Sequence, residues 1–187
     1  MTNEDADSTG LPIFPRVNVL GSPLLPAPTG KGPTTGFFRN SFCDASPQDR
    51  GSHTVAAVVT PTFLDFSASR GNDLWGLFPA LRQRASSTVA TSGETTSPPC
   101  VWCLCASRWL EALTAARTHE KGEEIVPRVV LEATHERALQ DAPIPREELE
   151  RFAVGGDGTG SLPGGGGGSG GSGWDVAAKG TGENVGR

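Results

Sequence analysis

The sequence predicts an α+β fold, or a small α/β one: a single compact domain in which a small mixed sheet carries three or four packed helices. Three strand-then-helix units support this. Val101 to Ala106 reads V-W-C-L-C-A, uncharged and too short for a helix, and it leads into a stretch where Trp109, Leu110, Leu113 and Ala116 recur at helical spacing. His53 to Val59, H-T-V-A-A-V-V, is β-branched and uncharged, and it ends at Thr60-Pro61 just before Phe63, Leu64 and Phe66. Arg128 to Glu132 centres on V-V-L and precedes a short helical stretch. An early edge strand and long loops favour a mixed sheet over a regular doubly wound one.

Taken in order, residues 1–15 form an acidic tail expected to be disordered, and 16–153 the globular domain, with a Ser/Thr-rich low-complexity insertion at 82–99. Residues 154–187 include P-G-G-G-G-G-S-G-G-S-G, too poor in apolar side chains to offset the entropy of ordering. Arg16 to Leu24 starts extended and ends in a Gly/Pro turn, which suits a short edge strand. Thr60 is placed to cap a helix that Pro61 opens and Gly71 closes. Trp75 to Leu81 reads as an apolar loop. Ser107 is expected to cap the helix after the Trp-Cys strand, Thr134 a short helix through Leu139, and Pro145 to open a last helix over Arg146 to Ala153. Alternation along the Trp-Cys strand sends Trp102 and Leu104 to one face and Cys103 and Cys105 to the other. Those two Cα atoms lie roughly 6.6 Å apart with parallel side chains, a poor geometry for a mutual disulfide.

A net charge of −5 among 187 residues leaves no basic field for a phosphate backbone, so nucleic acid and anionic membrane are disfavoured as partners. The first ten residues lack both the basic region and the apolar run of a secretory signal, and no stretch approaches the roughly 20 apolar residues of a membrane span. Cys43, Cys100, Cys103 and Cys105 suit a reducing compartment as free thiols. The expectation is a soluble, intracellular protein, cytoplasmic by choice.

Six ordered blocks resemble one family: N-V-L-G-S-P-L (Asn18 to Leu24), T-G-F-F-R (Thr35 to Arg39), G-S-H-T-V-A-A-V-V-T (Gly51 to Thr60), F-L-D-F-S-A-S-R-G-N-D-L (Phe63 to Leu74), W-C-L-C-A-S-R-W-L-E-A (Trp102 to Ala112) and V-V-L-E-A-T-H-E-R-A-L (Val129 to Leu139). The chain resembles the small family catalogued as domain of unknown function 2237, found in bacteria and photosynthetic eukaryotes. The resemblance implies no activity. It implies cysteines where this chain has Ala27 and Ala56, so a metal or disulfide that needed those thiols has no counterpart here. Cys43, Cys103 and Cys105 stand at family positions, whereas Cys100 belongs to the insertion.

No phosphate-cradling glycine loop, nucleophile elbow or H-E-x-x-H is present, and with no tyrosine a tyrosyl acid or base is excluded. Three readings of function follow. The first is a small binding or accessory domain for a small molecule or a protein, with a polar pocket at the sheet ends rimmed by His53, Asn72, Asp73, Arg108, Glu132 and His135. The second is a thiol-dependent enzyme, redox or sulfur-transferring, with Cys103 or Cys105 as nucleophile and His53 or Arg108 stabilising the thiolate. The third is a structural metal site drawing on the cysteines, His53 and His135, although the second pair of ligands at regular spacing is missing. No cofactor is implied and no metal ligand is assigned. Against all three stands packing: the paired sulfurs sit dry as small core hydrophobes, and Asp73 and Thr134 serve as caps. Arg39 and Arg108 either grip an anion or pair with Asp49, Asp65 or Glu132.

Overall fold

The computed structural model describes residues 10–11, 13–29, 34–81, 85 and 100–155. The expected tails and the insertion at 82–99 fall outside those residues except at 10–11, 13–15, 85 and 154–155, where Ile13 is buried and the Phe14 N–H bonds the Ala45 carbonyl. Strand β1 (Val55–Val58) lies at the centre of a three-stranded sheet, between β2 (Val101–Leu104) and β3 (Arg128–Val129). Both pairings are antiparallel: Val55 faces Leu104, Ala56 faces Cys103, and Ala57 faces both Trp102 and Val129. The parallel component is confined to an isolated bridge between Val129 and Ala153. The fold is α+β, as expected, but the strand-helix units do not cross over in parallel. Each strand is short, and the chain returns beside β1 in the opposite direction each time.

Helix α1 (Pro61–Ser69) follows β1, with Thr60 Oγ1 accepting from the Phe63 N–H and Gly71 adopting φ +78° past its end, as the sequence indicated. The apolar stretch after it is not a loop. It is helix α2 (Leu74–Leu77), capped by Asp73, whose carboxylate accepts from the Gly76 N–H. Helix α3 (Ala106–Ala115) starts one residue before the expected cap, so Cys105, not Ser107, holds the N-cap position. Thr134 also serves differently: its hydroxyl accepts from the Ala56 N–H and donates to the Val130 carbonyl, tying the chain after β3 to the central strand. Helices α4 (Ala138–Asp141) and α5 (Arg146–Arg151) complete the domain, and Arg16 to Leu24 forms bridges from Val17 to Pro23 and from Asn18 to His135 in place of a full strand.

Period-two alternation divides the core into two clusters. Val55, Ala57, Val59, Trp102 and Leu104 meet Phe63, Leu64, Trp109, Leu149 and Phe152 under the helices. Trp109 is fully buried, donates its indole N–H to the Pro127 carbonyl and meets Phe152 edge to face. Ala56, Val58, Val101 and Cys103 pack on the other face with Ala27, Cys43 and Ala133. Cys43 and Cys103 are joined there in a disulfide with Cα atoms 5.3 Å apart. This overturns the expectation of four free thiols, because a loop 60 residues distant brings Cys43 over the sheet. It also removes the thiol count as an argument for a reducing compartment. Among the described residues, no helix is long and apolar enough to cross a membrane.

Closing a loop of this length withdraws about 4 kcal/mol of chain entropy from the unfolded state. Urea unfolding with and without dithiothreitol should therefore show a lower midpoint for the reduced protein, and equal midpoints would contradict the link.

Candidate functional site

The turn before β1 is built around Asp49. Its carboxylate, almost wholly buried, accepts from the Gly51 N–H at 3.1 Å and the His53 N–H at 2.7 Å, and it meets His53 Nδ1 at 2.7 Å. An Asp side chain bonding the backbone two and four residues on nucleates such a turn unaided. The Ser52 carbonyl then accepts from the Ala106 N–H at 2.9 Å, pinning the turn to the start of α3. Ser52 lies at φ +47°, and its hydroxyl donates to Asp141.

This link sets His53 beside Cys105, near enough for the sulfur to act on the imidazole's charge. With Nδ1 engaged by Asp49, Nε2 is the ring nitrogen available to sulfur. Gly51 shows how close the groups stand: a Cβ there would come within 2.6 Å of the imidazole Cε1 and 3.3 Å of the Cys105 sulfur. The bond to Asp49, helped by Cys105, raises the His53 pKa to about 10. Burial pushes the Asp49 carboxyl up, but bonds from His53 and Gly51 outweigh it and hold the group below its ordinary value. Cys105 sits at the positive end of a ten-residue helix whose first turn carries no acid. Among the described residues, the backbone N–H groups of Cys105 and Ser107 have no hydrogen-bond partner.

A cavity of about 410 Å³ opens beside the sulfur, between edge strand β2, helix α2 and the loop carrying Gly36, Phe37 and Arg39. That loop covers the free edge of β2, with Thr35 Oγ1 accepting from the Cys103 N–H at 2.7 Å. Gly36 is at φ +87° and close against the Phe42 carbonyl, a place for no other residue. A bidentate Arg16–Asp44 pair, with Asn40 donating to the same carboxylate, holds the loop's far end. Phe37, Leu74, Leu77, Phe78 and Trp102 supply apolar wall.

The residues proposed from sequence divide between this cavity and other places. His53, Arg39, Asn72, Arg108, Cys103 and Cys105 line it, with Asp49 behind His53. Cys103 presents no free thiol because it is bonded to Cys43, so Cys105 is the sulfur left for chemistry. The sulfurs are therefore not both dry: Cys103 is buried, but Cys105 is partly exposed. Asp73 is a helix cap, and Arg108 pairs with Glu111 at 2.8 Å. Among the described residues, Glu132 lends only its backbone carbonyl, to Asn18 and Leu25. His135 is fully buried, and burial pushes its imidazole below the ordinary value despite Asp44, Glu136 and Asp141. Among the described residues, no group of three or more His, Cys, Asp or Glu is placed to hold a metal. The pairing of Asp49 with His53 went unread in the sequence, although D-x-x-x-H carried it. Nothing local announced that both approach Cys105, some fifty residues away.

The raised His53 pKa has a stability consequence. Its contribution is full below about pH 6.5 and is lost as pH rises toward 10. The lowered Asp49 contributes above about pH 3.9 and loses that as pH falls further. The stability gap between wild type and His53→Ala, followed by urea unfolding, should be widest near pH 5.5 and shrink steadily toward pH 10. A gap constant over that range would mean that the imidazole carries no such charge.

A family model described as "Uncharacterized protein conserved in bacteria (DUF2237)" matches residues 17–153, a span that includes every residue of this site. No curated protein matches the chain.

Proposed function

Because the chain belongs to this family of uncharacterised bacterial proteins, we propose its function from the site alone: Cys105 is a nucleophile that forms a covalent acyl intermediate, with His53 as acid and base and Asp49 as the group that orients His53. The single supporting observation is the placement of a buried carboxylate, an imidazole bonded to it and a neighbouring sulfur at a helix N-terminus beside one cavity. A nucleophile within reach of a base that is itself held by a third group is the arrangement nucleophilic catalysis needs.

The step balances without a cofactor. The Cys105 sulfur, as thiolate, adds to a carbonyl carbon and forms a C–S bond. The leaving group departs with the proton that His53 had held. Water then attacks the thioester, giving its hydroxyl to the acyl carbon and its other proton to His53, while the C–S electrons return to sulfur. The unpartnered N–H of Cys105, a residue that lines the cavity, is a donor available to the oxyanion that develops in both halves.

A second reading, a binding or accessory domain without chemistry, draws on the cavity itself, where His53, Asn72 and Arg108 gather on an apolar wall. Labelling separates the two. On the covalent reading, iodoacetamide modifies Cys105 in the folded protein, and His53→Ala slows that by about 10²-fold. 4-Nitrophenyl acetate leaves an acetyl group on Cys105, seen by peptide mass, that Cys105→Ser abolishes. Cys105 that labels only after denaturation would leave the binding reading in possession.

A further inference from the structure

We infer that the acyl donor for this site carries a carboxylate on an apolar body and that Arg39 is the residue that receives the carboxylate. This deepens the covalent reading above and rests on it.

Among the described residues, the lining of the cavity includes His53, Arg39 and Arg108 and no acidic side chain, in a chain whose net charge is −5. The cationic character is therefore local, not a reflection of the whole surface. Two of the three positive groups are already answered: Asp49 stands against His53, and Glu111 against Arg108. Arg39 has no carboxylate partner among the described residues. Its guanidinium instead lies over Phe78 at 4.8 Å and over Trp102 at 5.3 Å. A guanidinium seated on aromatic rings is fixed in orientation, keeps its fork of N–H donors free, and matches a planar carboxylate with two parallel bonds.

The backbone supports the placement. Arg39 is at φ +56°, a left-handed conformation that a long side chain rarely adopts, held next to the tight turn at Gly36. The remaining features suit the body of the ligand. Phe37 is 38% exposed and Leu77 69% exposed, and both line the cavity. Large apolar side chains left in water around a cationic group describe a site for an amphiphilic acid, with the sulfur inside to meet its carbonyl.

The experiment follows iodoacetamide labelling of Cys105 in the full chain, in the presence of 4-phenylbutyrate or of its neutral amide, 4-phenylbutyramide. Each protein is compared with its own unprotected rate. The carboxylate should protect at about tenfold lower concentration than the amide, with the difference shrinking as salt is added. Arg39→Met should abolish the difference, and Arg39→Lys, which keeps the charge but not the fork, should restore part of it. Equal protection by acid and amide, no protection by either, or a preference that survives in Arg39→Met would overturn the assignment of Arg39. In those cases fast, His53-dependent labelling would leave the covalent reading standing. Slow labelling that is indifferent to His53→Ala would instead remove the covalent reading.

Discussion

One buried carboxylate sets the geometry on which the rest of the site depends. Asp49 accepts from two backbone N–H groups of its own turn and from the imidazole that follows. Burying a charge is costly unless it is paired and hydrogen-bonded, and this one is both. The same three bonds end the loop, aim the chain into β1 and fix the ring of His53. Without them the Ser52 carbonyl would not reach the first N–H of α3, and strand and helix would lose their common anchor. The turn is thus at once a structural corner and the support of the His53 imidazole.

The two cysteines of the Trp-Cys strand show how sharply a position can change its role within two residues. Cys103 obeys the alternation of the strand, points to the face opposite the helices and is sealed against Cys43. Cys105 would follow it by the same rule, but the strand ends at Leu104 and the chain turns into α3. Turning there converts a core position into an N-cap, where a sulfur meets a helix dipole in place of packed methyl groups. The disulfide on one side of Leu104 and the imidazole contact on the other follow from that change of backbone direction.

What the sequence made legible follows from local chemistry. Thr60, Pro61 and Gly71 bracket α1 because cap, first-turn and left-handed preferences act over a few residues. The faces of β2 were readable because alternation is a property of the strand alone. Helix α2 was missed, although Asp73 was readable as a cap, because four residues ending at Leu77 carry no periodic signal. The start of α3 was misplaced because Ser107 is the better capping residue, whereas the helix gains its first N–H partner from the distant Ser52 carbonyl. The disulfide joins positions 60 residues apart, and no local pattern encodes that. Six polar residues were expected on one rim. Those adjoining β2 and α3 did gather, but His135 was taken into the core beside Thr54 and Asn18.

Among the described residues, neutralised pairs build the scaffold, and one cavity-lining cation, Arg39, has no carboxylate partner. Arg16 is spent on Asp44, Arg108 on Glu111 and Arg151 on Glu123 and Glu148, each pair holding a loop or a helix end. His53 and Asp49 belong to the same pattern by charge but differ in position, because one face of the imidazole pair remains open to the sulfur. Of the charged groups lining the cavity, Arg39 is the one seated on rings and not on a carboxylate. A ring surface orients a guanidinium without discharging it. The apolar wall beneath it lowers the local dielectric, so its field on anything entering the cavity is stronger than that of a solvated arginine. Among the described residues, the arrangement leaves one guanidinium without a carboxylate on the wall of the cavity that Cys105 also lines.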